Sequence, residues 1–460
     1  MPKFKRRELL NPLTKPELQT LMLRVFGKSF VSLPKHDLVD MLTSTRVLTT
    51  VSMIELLPYQ SLKRICKFLD VESGSTKSAT VAVLLDDKLL AAGELVRQSL
   101  RRQGFRVTKN SVAPPKLINK SSIREVHALA VQHKRDVAEN ALKRVEDRLL
   151  EKIANGPDID PHNIKPTLRF VQAGSQDELL FRYATLHWSI PISTGYGRRL
   201  RALVVDASNE KLIGVIGLCD PVFALRSRDS WIGWNIEQRK ANISGIVDAY
   251  VLGAVPPYSQ LLCGKLVAML ACSNEVREHF RRKYDESTSL IGGKVHNGLI
   301  AAITTTSALG RSSIYNRLKI GGHTIFEPIG FTAGSGDFQF LNGAYEVIQD
   351  AVKMCGVASA KHEKWGNGYR NRREVVQEFL KATGIASSAL QHGIQREIFV
   401  APLASNARDY LKGVDEKPEY HCMPTDFIAE AFMNRWLLRR VKWDKSYLLF
   451  ERECWRLWRT

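Results

Sequence analysis

The stretch RRLRALVVDASNEKLIGVIGLC, residues 198–219, decides the fold class of the central part of the chain. Two apolar runs rich in Leu, Val and Ile, residues 199–205 and 211–218, flank the polar sequence DASNE, residues 206–210. Apolar runs joined by a short polar segment predict an antiparallel β-hairpin. The hairpin in turn predicts that this part of the chain is built around a β-sheet.

Further patterns around the hairpin predict both strands and helices. Residues 231–234 (WIGW) and 299–306 predict two more strands, and residues 261–284, which follow Pro256-Pro257, predict a helix. We therefore expect a mixed α+β fold with a central α/β core.

The segments on either side of this core have the helical period. Upstream, apolar residues recur every three or four positions from Val126 to Ile153. This period predicts one long amphipathic helix, which residues 122–125 (SIRE) would begin as a capping box and Gly156-Pro157 would end. Downstream, similar periods predict helices over residues 343–354, 372–381 and 426–441.

The N-terminal segment contains two similar helical patterns, offset by about 44 residues. The second, LPYQSLKRICKFLDVESGSTKSATVAVLL (residues 57–85), resembles the SAP module, a small DNA-binding fold. Its second helix would begin near Ser75 or Thr76, so its N-terminal amides and Lys77 could face a phosphate. The alternative is a helical hairpin that only packs on the rest of the protein.

These patterns together predict four segments along the chain. We expect SAP-like helical hairpin repeats over 1–105, a linker over 106–120, the long helix and the α/β core over 121–345, and a helical, Arg/Trp-rich region over 346–460. No apolar run approaches the ~20 residues that a membrane helix needs. We expect a cytoplasmic protein that does not enter a membrane.

The charge of the chain is its most unusual property. Its 67 Lys and Arg residues exceed its 47 Asp and Glu residues by 20. Such an excess attracts polyanions over long distances, so we expect DNA to be a partner. The seven cysteines show no C-x-x-C spacing, and we expect neither a metal site nor a bound cofactor.

Two basic turns in the core are candidate phosphate contacts. Arg198, Arg199 and Arg201 lie in the first, where Arg199 and Arg201 alternate and so share one face of a strand. Arginines there need either carboxylate partners or an external anion. The second turn combines hydroxyls with guanidinium groups, which suits phosphate; its candidate residues are Arg311, Ser312, Ser313 and Arg317.

The second turn also allows a catalytic hypothesis. Ser312 or Tyr315 could attack a phosphodiester, and Arg311 and Arg317 would stabilise the developing charge. No acid–base triad accompanies them in the sequence, and a polar turn that only fixes neighbouring loops is the alternative.

The sequence QLLCGKL, residues 260–266, has features of two nucleotide-binding patterns. A P-loop is excluded because Leu266, not Ser or Thr, follows Lys265 and no glycine lies five residues before Gly264. The order of hairpin, strand and this helix start is similar to acyl-CoA-dependent acetyltransferases. In that family's pattern Cys263 and Lys265 occupy glycine positions, which argues against the cofactor site, and we keep Lys265 as a candidate phosphate contact.

The last 25 residues combine aromatic and basic side chains. They contain Trp436, Trp443, Trp455 and Trp458 among many arginines and lysines. This mixture predicts either base stacking with phosphate contacts, or rings that dock into the core while the arginines stay in water.

Four stretches carry a family resemblance: RYATLHWSIPISTGYGRRLRALVVD, KLIGVIGLCDPVFALRSRDSWIGWN, VLGAVPPYSQLLCGKLVAML and TTTSALGRSSIYNRLK. Together they resemble the DruA family of the Druantia anti-phage systems over residues 120–345. The resemblance implies a bacterial defence role beside a large helicase-like partner, and it assigns no catalytic residue. The matched motifs contain Arg198, Arg199, Arg201, Asp220, Arg228, Asp229, Trp231, Trp234, Lys265, Arg311, Ser312, Ser313, Tyr315, Asn316 and Arg317.

Our hypothesis from the sequence is a DNA-binding component of an anti-phage system that contacts phosphates through Lys and Arg. The alternatives are a DNA-modifying or nicking enzyme that uses residues 311–317, a scaffold for protein partners, and an acyl-CoA-dependent acetyltransferase.

Overall fold

The computed structural model describes residues 4–45, 50–85, 88–108, 111–288, 293, 295–354 and 369–458. By their contacts the described residues group into two compact units. One comprises Met1–Pro115 with Gln339–His392, and the other comprises Lys116–Phe338 with Gly393–Thr460. The domain boundaries expected from the sequence at residues 105, 120 and 345 stay predictions.

The helices and strands have the following bounds. The helices are α1 (Arg6–Leu10), α2 (Lys15–Phe26), α3 (Lys35–Ser44), α4 (Thr50–Glu55), α5 (Tyr59–Phe68), α6 (Lys77–Leu85), α7 (Lys88–Arg102), α8 (Lys120–Leu142), α9 (Glu146–Leu150), α10 (Gln176–Thr185), α11 (Arg226–Ile232), α12 (Ile236–Asn242), α13 (Cys263–Leu270), α14 (Asn274–Tyr284), α15 (Ala344–Met354), α16 (Tyr369–Ala382), α17 (Ala407–Lys412), α18 (Thr425–Phe432) and α19 (Leu438–Trp443). The strands are β1 (Arg106–Val107), β2 (Val112–Ala113), β3 (Pro166–Phe170), β4 (Leu200–Asp206), β5 (Lys211–Cys219), β6 (Ile246–Ala254), β7 (Asp285–Thr288), β8 (Val295–Asn297), β9 (Ala302–Thr306), β10 (Lys319–Ile320), β11 (His323–Thr324), β12 (Glu327–Phe331) and β13 (Glu397–Pro402).

The N-terminal unit begins with the two expected helical hairpins, α2–α3 and α5–α6. Their first helices start at Lys15 and Tyr59, an offset of 44 residues (59 − 15). As expected, α6 begins after Thr76, whose hydroxyl accepts a hydrogen bond from the Ala79 amide at 3.1 Å. One buried apolar cluster joins both hairpins. The hairpin architecture is confirmed, and the likeness to a SAP module stays a prediction.

The two hairpins are also equivalent in their polar contacts. Lys35, the first residue of α3, donates from Nζ to the Asn11 carbonyl at 2.9 Å. Lys77, the first residue of α6, donates in the same way to the Glu55 carbonyl at 2.7 Å. Asn11 and Glu55 are again 44 residues apart, so each lysine fixes the segment that precedes its own hairpin.

The rest of this unit contains α7, α15, α16 and a short hairpin of β1 and β2. The hairpin lies within residues 106–120, which the sequence predicts to be a linker. The Gln103 side chain donates to the Gln339 carbonyl at 2.8 Å, and Gln339 donates to the Ala389 carbonyl at 2.7 Å. These buried bonds tie the segment after residue 338 to the N-terminal helices.

The second unit is built on a mixed sheet. Within the described residues its seven strands have the order β12-β13-β9-β6-β5-β4-β3. The predicted hairpin of β4 and β5 is confirmed, with Leu200 paired to Leu218. Neighbouring strands in this sheet are antiparallel apart from β6 and β9, which are parallel. The chain after residue 345, where the sequence predicts helices, contributes β13 between β9 and β12.

The parallel pair separates towards its carboxyl end. Residues Ile246–Ala249 of β6 pair with Ala302–Thr305 of β9, but β6 continues to Ala254 without β9 as its neighbour. The separation starts at Tyr250, which is an extra residue in β6 between the partners of Gly217 and Leu218 in β5. Such a bulge bends its strand and increases its local twist.

Helices cover both faces of the sheet. On one face α13, α14 and α18 bury an apolar cluster that contains Leu266, Phe280 and Phe432. On the other face α8, α9 and α10 pack together with Trp455 and Trp458. The docking of C-terminal rings into the core is therefore confirmed for these two tryptophans, whereas Trp443 is 90% exposed.

Residues 231–234 do not form the expected strand. Trp231 and Ile232 end α11, Gly233 caps it in a left-handed conformation with φ of 77°, and Trp234 follows the helix. A four-residue pattern of large apolar side chains fits both one turn of helix and a short strand, and here the glycine ends a helix.

Two predicted helices are interrupted. Residues 261–284 form α13 and α14, because the Ser273 hydroxyl caps a new helix by accepting from the Val276 amide at 3.3 Å. The long upstream helix begins at Lys120 with Asn119 as its cap, not with the expected box at 122–125. It is interrupted at Lys143–Val145 by a 3₁₀ turn and ends at Leu150.

Candidate functional site

A cleft lies where the parallel strands β6 and β9 end. After β6 the chain makes the turn 255–262 and enters α13, which carries Lys265. After β9 it forms the loop 307–317, and the Lys265 ammonium group donates to two carbonyls of this loop. Open α/β sheets bind ligands in such crevices beyond the carboxyl ends of their strands.

The cleft has a volume of about 450 Å³. Segments from three parts of the chain line it: the start of α13, the loop after β9, and the π-helical segment Met433–Leu437 between α18 and α19. The lining residues are Lys265, Ser313, Asn316, Arg317, Arg435 and Trp436. The structure thus brings together three of the predicted phosphate contacts, Lys265, Ser313 and Arg317.

Lys265 is half-buried and its position is fixed. Its Nζ lies 3.0 Å from the Ser313 carbonyl oxygen and 3.2 Å from that of Ile314. Burial, together with the nearby positive charge of Arg435, lowers the pKa of its amine. The side chain therefore lies close to another cation, and no described carboxylate pairs with it.

Arg317 is exposed and has a left-handed backbone, with φ of 62°. Leu262, immediately before α13, has the same conformation with φ of 64°. Left-handed backbone is uncommon and costly for residues other than glycine, and such positions cluster at functional sites. Both residues belong to the segments that build the cleft.

Arg435 and Trp436 form the third wall. The Arg435 guanidinium lies 4.7 Å from the centre of the Trp436 ring, and its Nη1 donates to the Lys319 carbonyl at 2.6 Å. This wall combines a cation with an aromatic surface. In the described part of the chain neither Arg317 nor Arg435 forms an ion pair with a carboxylate.

Glu397 fixes the loop that precedes the cleft. Its carboxylate accepts from the Ser312 amide at 3.2 Å, and its own amide donates to the Gly310 carbonyl at 3.1 Å. Glu397 is the first residue of β13, so the inserted strand holds the loop after β9 in place. The Ser312 hydroxyl in turn accepts from the Ile314 amide at 3.1 Å.

The predicted catalytic residues are not arranged around one exposed point. Tyr315 is buried between Phe326 and Phe399, with ring centres 5.0 and 5.2 Å away. Burial raises the pKa of its hydroxyl to about 12. Arg311 is exposed and lies 6.0 Å from the Phe331 ring. The nucleophile hypothesis for this region stays a prediction.

The Arg198–Arg201 turn lies at the opposite end of the sheet from the cleft. It forms the start of β4, which runs in the same direction as β6 and β9, whereas the cleft lies beyond the carboxyl ends of β6 and β9. Arg198 is buried and pairs with Asp220 at 2.8 Å, and Arg201 pairs with Glu178 at 2.7 Å. Two of the three arginines therefore have carboxylate partners inside the protein.

Arg199 differs from its two neighbours. Its side chain is exposed, and its carbonyl accepts from the Tyr284 hydroxyl at 2.7 Å and from Lys283 Nζ at 2.9 Å. Burial and the charges of Arg201 and Arg199 lower the pKa of the Lys283 amine. Arg199 and Lys283 thus form a second basic cluster at the far end of the sheet.

Lys77 lies in the N-terminal unit and binds the Glu55 carbonyl. Its ammonium group has further N–H donors, which could form hydrogen bonds to a phosphate. The assignment of Lys77 to nucleic-acid binding stays a prediction, as do those of the other basic residues.

The turn before α13 does not present its amides to the cleft. The Cys263 amide donates to the Tyr258 carbonyl at 3.2 Å, and the Lys265 amide donates to the Leu262 carbonyl at 2.9 Å. The amides of residues 259–262 also bond within the turn or to Val255. A pyrophosphate cradle of the acetyltransferase type would need these groups.

A row of polar side chains that crosses β5, β6 and β9 could not be predicted from the sequence. Asp248 of β6 lies between Cys219 of β5 and Thr304 of β9, and its carboxylate accepts from the Thr304 hydroxyl at 2.9 Å. Burial raises the pKa of Asp248 to about 6, although the Thr304 hydrogen bond and the charge of Arg228 lower it. A single carboxylate within an apolar strand gave no recognisable pattern.

The described residues contain neither a metal-binding cluster nor a membrane-spanning helix. His, Cys, Asp and Glu side chains do not cluster there in groups of three that could hold a metal ion. None of the helices in that part of the chain has the length and apolar composition to cross a membrane.

Comparison with known proteins identifies the family. The family model described as Druantia protein DruA matches residues 118–413. A relative described as Druantia protein DruA, from Escherichia coli (strain UMEA 4076-1), is 36% identical over 357 residues, which cover 77% of this chain and 88% of the relative. No solved structure matches. Since the family model spans more than half of the chain, and the relative matches over most of both lengths, the chain belongs to the DruA family of Druantia proteins.

Proposed function

We propose that this chain is a DNA-binding component of a Druantia anti-phage system. The observation that carries the proposal is the cleft, where Lys265, Arg317 and Arg435 converge beside Trp436. Three cations that pair with no carboxylate in the described part of the chain favour a polyanion, since phosphate oxygens accept charge-assisted hydrogen bonds from both Lys and Arg. The defence role rests on membership of the family, and a helicase-like partner in the same system is part of the proposal.

The net charge of +20 supports the same proposal. Arg198, Arg201 and Arg228 are neutralised by carboxylates within the protein, so they add little to an external binding surface. Apart from Arg198 and Arg201, the core residues predicted to contact phosphate form no ion pair in the described part of the chain. They include Lys265 and Arg317 of the cleft and Arg199 of the Arg199–Lys283 cluster. We propose the cleft as the main contact and the cluster as a further one.

A salt titration tests the proposal. The full-length protein is mixed with labelled single- and double-stranded oligonucleotides, and anisotropy is measured over a range of salt concentrations. Affinity should fall linearly on logarithmic axes, and loss of one phosphate contact should reduce the slope by about one. Arg317→Asn removes the charge but keeps a residue that tolerates left-handed backbone. Arg144→Gln, at an exposed site outside the cleft, is the control with the same change in net charge.

The proposal fails if neither DNA form binds at low salt, or if Arg317→Asn and Arg144→Gln bind DNA equally well. A scaffold for protein partners would give the first result. A nicking enzyme would bind DNA and also leave cleaved strands, so the reaction products are examined on a denaturing gel.

One observation favours acyl-CoA chemistry as a second candidate. In the sheet, the antiparallel strands β3 to β6 are followed by β9, which is parallel to β6. β6 and β9 separate at the Tyr250 bulge, and the proposed anion site lies at that opening. This arrangement is similar to the strand order of acyl-CoA-dependent acetyltransferases. The internally bonded amides before α13 argue against the usual pyrophosphate cradle. Incubation with acetyl-CoA and a polyamine tests it, and release of free thiol would support it.

A further inference from the structure

We propose that the cleft binds one nucleotide unit whose base is unpaired, with its phosphate between Lys265, Arg317 and Arg435 and its base against the Arg435–Trp436 wall. For DNA, this inference rests on the proposed function. It narrows the proposed DNA binding to single strands or strand ends. The same chemistry could come from a free nucleotide, including the nucleotide part of coenzyme A.

The size of the cleft favours a unit of this kind. Its volume of about 450 Å³ lies in the lower part of the range of small-molecule sites, roughly 300–1,000 Å³. A double helix keeps its bases stacked inside the duplex, so a concave site can reach their faces only when they are unpaired or turned out. A cleft that met only the backbone of a duplex would have no use for an aromatic wall.

The charge of the cleft requires an anion. Lys265 and Arg435 are close enough for the charge of Arg435 to lower the pKa of the lysine, and the six lining residues include no carboxylate. Like charges held together in a half-buried place repel each other, and a phosphate between them would remove the repulsion. Ser313 and Asn316 supply neutral polar groups at the same place.

The Arg435–Trp436 wall offers a surface for a base. The guanidinium carbon lies over the indole ring, 4.7 Å from its centre, so one side of the cleft combines a cation with an aromatic ring. Unpaired bases stack on both aromatic rings and guanidinium planes. Phe432 lies behind the indole, with ring centres 6.3 Å apart and nearly parallel planes, and it supports Trp436 from the core side.

The backbone of the lining segments supports a binding role. Arg317 has a left-handed backbone conformation, whose steric strain a glycine at this position would remove. Strain of this kind persists where the surroundings hold a side chain in a required position. Here the strained residue, Arg317, lines the same cleft as Lys265 at the start of α13.

The test is a competition experiment on the full-length protein. A labelled oligo(dT) strand of about 20 nucleotides and a fluorescent nucleotide are the two probes, and a blunt duplex of equal length, ATP and coenzyme A are the competitors. We expect the single strand to bind about tenfold or more tightly than the duplex. Trp436→Leu should weaken single-strand binding about tenfold and duplex binding less than twofold.

Matched variants keep the test independent of folding. Trp443→Leu removes a tryptophan that is 90% exposed and lies outside the cleft, and it should bind like the wild type. Trp436→Phe keeps an aromatic face and should retain most of the affinity that Trp436→Leu loses. The thermal unfolding midpoint of each variant is measured alongside.

The possible outcomes separate this inference from the proposed function. Equal binding of duplex and single strand, or an equal loss of both with Trp436→Leu, overturns the inference and leaves DNA binding intact. Displacement of a fluorescent nucleotide by ATP or coenzyme A, without any binding of DNA, keeps the inference with a free nucleotide as the source and overturns the proposed function. If no probe binds, both fail.

Discussion

Arg228 and Asp229 are neighbours in sequence and form an ion pair in which the guanidinium is completely buried. Nε and Nη2 of Arg228 lie 2.9 and 2.7 Å from Oδ1 of Asp229. The remaining donors bind the carbonyls of Val222 and Phe223 at 2.7 and 2.9 Å. The pair thus holds the loop after β5, whose Phe223 side chain is 43% exposed.

The first prediction concerns this pair. Arg228→Lys should lower the free energy of unfolding by about 3 kcal/mol, because an ammonium group cannot bind Asp229 and both carbonyls in the geometry of a planar fork. Urea unfolding followed by tryptophan fluorescence measures the change. Arg144→Lys, at an exposed site, is the control and should lie within about 0.5 kcal/mol of the wild type. A result for Arg228→Lys in that same range would contradict the role given to the pair.

The second prediction separates structural arginines from binding arginines. Arg198→Ala removes the buried partner of Asp220 and should cost about 3 kcal/mol of stability, with less than a twofold loss of DNA affinity. Arg435→Ala should show the reverse, since this guanidinium donates to the Lys319 carbonyl and pairs with no carboxylate among the described residues. Unfolding curves and anisotropy titrations on the same samples test it. If both variants lose DNA affinity equally, the ion pair does not neutralise Arg198 as argued.

The hairpin of β4 and β5 could be predicted because its apolar runs and polar turn are local in sequence. The WIGW run at 231–234 could not, since four residues fit either a helix end or a strand. The left-handed Gly233 decides between them, and its conformation depends on how α11 packs.

The cleft was only partly predictable for a different reason. Lys265 and Arg317 each occupy an unusual motif, so both could be found. That they meet depends on the pairing of β6 with β9, and that Arg435 joins them depends on how α18 and α19 pack. Residues more than 100 positions apart come together through sheet order, which a single sequence does not reveal.

The third prediction concerns pH and Asp248. The pKa of this carboxyl is about 6 in the folded protein and near 3.8 when unfolded, so the folded state holds the proton more tightly. The contribution of Asp248 to the free energy of unfolding is therefore greatest below about pH 4. This contribution falls as the pH rises to about 6. Asp248→Asn should raise stability at pH 7.5 by up to about 3 kcal/mol and leave it nearly unchanged at pH 4.

Unfolding at both pH values tests this prediction, with Asp415→Asn, a carboxylate bonded to the Asn406 amide away from the cleft, as the control. A gain that is equal at pH 4 and pH 7.5 would show that ionisation of Asp248 is not its cause.

The fourth prediction concerns the left-handed backbone of Arg317. Arg317→Gly should raise the free energy of unfolding by up to about 1 kcal/mol, because glycine adopts positive φ without steric cost. The same change should weaken DNA binding, because it removes a cleft cation. Thermal unfolding and anisotropy measure the two effects. A variant that is less stable than the wild type would contradict the assigned strain.

The fifth prediction uses the internal equivalence of Lys35 and Lys77. Each lysine is the first residue of the second helix of its hairpin and binds a carbonyl that precedes the first helix. Lys35→Gln and Lys77→Gln should therefore destabilise the protein by similar amounts, about 1 kcal/mol. If Lys77 also contacts a phosphate, only Lys77→Gln lowers DNA affinity and reduces the salt slope by about one. Because the two lysines have the same local role, a difference in DNA binding cannot come from the lost hydrogen bond. Equal DNA binding by the two variants would restrict Lys77 to a structural role and leave the cleft as the phosphate site.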